Sequence, residues 1–61
     1  MAQEYDIKGM TEKIRVLRKT AEELKEISGG IPSVERNADR ILAGVRMLEM
    51  NISEVVEILS K

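Results

Sequence analysis

The tetrapeptide Gly29-Gly30-Ile31-Pro32 falls between two long runs of heptad-spaced apolar residues, and it decides between one continuous coiled-coil strand and a hairpin. Gly29 can take a positive φ as a helix C-cap, and Gly30 adds backbone freedom. Pro32 removes a backbone donor and holds Ile31 in an extended conformation. A continuous helix would have to absorb all of this. The apolar frames on the two sides also differ in phase by three residues. A hairpin of two antiparallel helices accounts for both the glycines and the slip.

The first run is Ile7, Met10, Ile14, Leu17, Ala21 and Leu24, with Ser28 next in register. Its alternating steps of three and four keep one stripe on one face of a helix. Two starts compete. Thr11 would cap a helix that begins after Gly9, whereas Asp6 would cap one that brings Ile7 and Met10 into the stripe. The early start is favoured, because both residues are already in phase and their burial offsets one helical glycine. On this helix Arg18-Glu22 and Lys19-Glu23 stand four apart and can form weak ion pairs.

The second run is Val34, Ala38, Ile41, Val45, Leu48, Ile52, Val55 and Leu59, which spans about 26 residues and so about 39 Å of helix. Ser33 is the expected N-cap, with Glu35 in the first turn where the helix dipole favours a negative charge. The predicted layout is a helix over about 7–28, a turn over 29–32 and a helix over about 33–60. Folding the chain about Ile31 sets Leu24 against Ala38, Ala21 against Ile41, Leu17 against Val45, Ile14 against Leu48, Met10 against Ile52 and Ile7 against Val55. Lys25 then falls beside Glu35. Ala21 and Gly44 are expected to let the helices approach closely at mid-height.

A chain of 61 residues is in the range where one core is marginal and a disulfide, a metal or self-association is often required. With no Cys and no His, neither a disulfide nor the usual zinc ligands are at hand. Self-association remains. The apolar fraction of 43% and net charge of -1 describe a folded chain, with neither the charge excess of a disordered tail nor the basic balance of a typical nucleic-acid binder. The expected fold is therefore all-α: a two-helix hairpin that dimerises into a four-helix bundle.

The second helix carries more apolar surface than one neighbour can cover. Leu42, Val56 and Ile58 lie beside its main stripe, and Met47 and Met50 lie on other faces. Leu42, Val56 and Ile58 are expected to reach a second subunit. Glutamate at Leu42 or Ile58 would then break association, whereas alanine at Leu17 or Leu48 would damage the hairpin itself. The methionines are either ordinary peripheral packing or an adaptable docking surface for a heterologous protein.

Chemistry is hard to place. There is no Gly-rich phosphate loop, and no Ser sits in a nucleophile elbow. Glu35 with Asp39, and Glu54 with Glu57, are helical carboxylate pairs beside Glu49, and solvated helix faces have the same pattern. No catalytic residue, metal or cofactor is assigned. Lys13, Arg15, Arg18 and Lys19 form a run uninterrupted by acid and could touch phosphates, which makes a small helical nucleic-acid-binding protein the alternative. That run spreads round the helix and has no aromatic platform, so it is the less favoured reading. The start Met1-Ala2-Gln3-Glu4-Tyr5-Asp6 lacks the pattern of a secretory signal, and no stretch reaches membrane-spanning length. The expectation is a cytoplasmic, non-enzymatic interaction module that forms a homodimer.

Overall fold

The computed structural model describes residues 5–60 and contains two helices, α1 (Ile7–Ile27) and α2 (Pro32–Leu59). The first four residues of the amino-terminal stretch considered above lie outside the described residues. Lys25 pairs with Asp39 near the turn, and Arg18 pairs with Glu49 further from it. Partners that separate in sequence on moving away from the turn define an antiparallel hairpin.

Helix α1 starts at Asp6, whose carboxylate accepts a hydrogen bond from the Gly9 amide at 2.8 Å. One of the unpaired amides of the first turn is thereby satisfied. A Cβ on residue 9 would come 2.7 Å from the Asp6 Cγ, so the glycine leaves room for the cap. At the other end, the buried Ser28 hydroxyl donates to the Lys25 carbonyl at 2.8 Å. This serine occupies a stripe position and enters the core with its polar atom paired. Gly29 and Gly30 follow with φ of 66° and 85°, consecutive left-handed conformations that other L-residues adopt at a cost.

Helix α2 begins one residue ahead of the expected serine cap. Pro32 is its first residue and the extended Ile31 is its N-cap, with no side-chain hydrogen bond. The proline explains the difference: its fixed φ suits the first helical position, and it needs no amide partner there. Ser33 consequently lies inside the first turn, together with Glu35.

The seam between the helices is narrow. Its buried apolar residues are Ile14 and Ala21 from α1, with Ala38 and Val45 from α2. They recur at intervals of seven, and Ile7 and Ile52 extend the same rows with intermediate exposure. The other half of the predicted stripe lies at the margin. Met10 is 38% exposed, Leu17 47%, Leu24 41%, Ile41 47% and Leu48 41%. Leu17 and Leu48 are therefore not the core residues that a symmetric stripe implies. In this hairpin one row of each stripe is buried against the neighbouring helix and the other stays at the margin of the seam, so the pair is rotated away from the arrangement in which both heptad rows pack on the partner.

Gly44 differs from expectation as well. A Cβ built there meets nothing within 4 Å, so the glycine does not serve contact between α1 and α2. The small residues that do are Ala21 and Ala38, both buried. Gly44 stands beside Val45, about 100° round the helix from the inward direction.

Candidate protein-interaction face

The two flanks of the seam are chemically unlike. On one flank, Arg18 bridges the helices as a fork: its Nη2 donates to Glu49 Oε1 at 2.6 Å and its Nε to Glu49 Oε2 at 3.0 Å. Glu22 stands 3.8 Å from the same guanidinium. Nearer the turn, Lys25 Nζ reaches Asp39 Oδ1 at 2.7 Å. Lys25 thus takes Asp39 instead of the expected Glu35, although Glu35 adds to the negative potential at its ammonium. The Lys19-Glu23 spacing does not close into an ion pair among the described residues.

The contacts favour the charged forms of Arg18, Lys25 and Glu49. The hydrogen bond from Arg18 lowers the Glu49 pKa below its ordinary 4.5, against a smaller opposing effect of desolvation. The same contact raises that of Arg18. The Asp39 hydrogen bond, followed by its charge, raises Lys25 above 10.5. All four side chains remain a third or more exposed, so water screens the pairs and their main effect is on register and orientation.

Towards the open end, the same flank forms a shallow groove of about 520 Å³ that includes Thr11, Arg15, Arg18, Glu49, Ser53 and Val56. The opposite flank has a groove of about 440 Å³ that includes Met10, Lys13, Leu48 and Asn51. Heptad spacing carries each flank along the rod. On the second flank it gives Met10, Leu17 and Leu24 from α1, and Ile41, Leu48 and Val55 from α2. Gly44 lies level with the middle of this face. We call it the open face, because its apolar side chains are half-exposed and among the described residues no ion pair bridges it.

Leu42 is half-buried and lies with the exposed Val56 on the ion-paired flank. Ile58 is exposed beyond the open face, and Met47 and Met50 are exposed on the side of α2 turned away from α1. These five residues do not form one continuous patch. Sequence reasoning did not single out the marginal residues Met10, Leu17, Leu24, Ile41 and Leu48 as surface. The signal lay in their position: they form the second row of each heptad stripe.

The basic run is also divided. Lys13 lines the open-face groove, Arg15 and Arg18 line the other, and Lys19 projects elsewhere on the exposed surface. Arg18 is already occupied by Glu49 and Glu22. Among the described residues, no group of three or more potential ligands gathers to hold a metal ion, and Asp39 is engaged by Lys25. No helix among them is long and apolar enough to cross a membrane. No protein-family model, curated protein or solved structure matches the chain.

Proposed function

We propose that this protein is a non-enzymatic protein–protein interaction module, a small self-associating regulator or accessory subunit whose hairpins pair as a homodimer in a four-helix bundle. The observation that carries this reading is the half-exposure of five large apolar side chains, Met10, Leu17, Leu24, Ile41 and Leu48, in register along a hairpin that has four buried apolar residues among those described. A core this small leaves a hairpin marginal. Covering a row of aliphatic side chains contributes roughly 25 cal/mol for each Å² removed from water. A second pair of helices supplies that cover in the geometry of a four-helix bundle.

Sedimentation equilibrium over a concentration series tests the reading, with circular dichroism on the same samples. A helical species that passes reversibly from monomer to dimer is the expected result. A folded chain that stays monomeric at millimolar concentration contradicts it. Nucleic-acid binding draws no comparable support, because the basic side chains are divided between opposite flanks and Arg18 is neutralised within the hairpin.

A further inference from the structure

We infer that the self-association surface is the open face, and that a second copy of this chain seats on it with its closest approach at Gly44. This rests on the reading of the protein as a self-associating module and adds the face and the point of contact.

The first observation is Gly44 itself. A glycine in a helix interior is unfavourable relative to alanine, and within the hairpin nothing explains it, since a Cβ would meet only open space. Its position does. Ile41 and Leu48 stand three residues before it and four after it on α2, and both are half-exposed on the same side. A missing side chain between two apolar ridges leaves a notch into which a neighbouring helix can sink.

The second observation is the partition of charge. The ion-paired flank holds Arg15, Arg18, Glu22, Lys25, Asp39 and Glu49. At the end away from the turn, the charged residues lining the open-face groove among those described are Asp6 and Lys13, and Asp6 is turned into the α1 cap. Burying this face strands few charges, and a second copy meets it without a block of like charge. A face intended for a strongly charged partner would carry the complementary sign. Here the partner that matches is equally apolar, and this chain's net charge of -1 adds little repulsion.

The third is size. Helix α2 has 28 residues, which makes it about 42 Å long. Two helices side by side are about 20 Å wide. With α1 of 21 residues reaching about 32 Å, one flank therefore offers on the order of 700 Å², close to one partner's share of a standard stable interface. A second copy is the same length and covers it end to end.

The test compares wild type with Gly44→Leu, Leu17→Glu and Ala43→Leu by sedimentation equilibrium, with helicity read by circular dichroism on each sample. Ala43→Leu places the same leucine on the exposed side of α2 away from the notch. The expected result is a dimer for wild type and Ala43→Leu, and at least about tenfold weaker association for Gly44→Leu and Leu17→Glu with helicity retained. Dimers as tight as wild type in both Gly44→Leu and Leu17→Glu would overturn the face while leaving self-association standing. A monomeric wild type would overturn both, and would leave the face to helices of another chain. If Leu17→Glu loses its helices, Gly44→Leu alone decides, since it removes nothing from the hairpin.

Discussion

Glu49 and Arg18 are the residues that relate the two helices most specifically, through a forked pair across 31 positions of sequence. Its pH dependence has a definite sign. Glu49 has a lower pKa in the fold than its ordinary 4.5, so the unfolded chain binds more protons in that range and stability rises with pH. The contribution is complete above the ordinary carboxylate range and disappears as pH falls through the lowered value. Lys25 has the opposite sense. Its pKa is raised above 10.5, so its contribution is complete below that value and is lost as pH rises through the raised one. Thermal unfolding followed from pH 7 downwards should therefore show a loss of stability in wild type that is shallower in Glu49→Gln. An identical acid dependence in the two proteins would remove the pair from any role in the fold.

At the scale of the helices, the two rows of each heptad stripe have different fates. Ile14 is buried, whereas Leu17 is about half-exposed. In dilute solution Ile14→Ala should cost about 2 kcal/mol or more, and Leu17→Ala clearly less, because much of its side chain is already in water. Chemical denaturation of the two variants at one low concentration checks the order, and equal losses would mean that both rows are interior. Much of this level was legible in the sequence. Asp6 as the α1 cap and the hairpin at Gly29-Gly30 follow from local chemistry, which needs only near neighbours. The start of α2 was misread because Ser33 is a good cap in isolation, while Pro32 beside it is a better first residue. The inward row could not be separated from the marginal row, since heptad spacing gives the stripe and not which half of it a single partner covers. Gly44 was misplaced for the same reason: whether a missing Cβ faces α1 depends on helix rotation, which spacing alone leaves open.

For the whole molecule, the consequence is a rod that holds its register by two ion-paired bridges on one flank and leaves aliphatic side chains on the other. Stability in such a chain should be coupled to concentration, because anything that binds the native state alone raises its unfolding temperature by mass action. This separates an incomplete core from one that merely has a greasy margin. The most direct measurement is the unfolding temperature of the wild-type chain, followed by circular dichroism across about a hundredfold range of protein concentration. A core completed by a second copy predicts a midpoint that climbs steadily with concentration, as it does for associating proteins. A midpoint that stays fixed over the whole range, with full helicity at the lowest concentration, would contradict it.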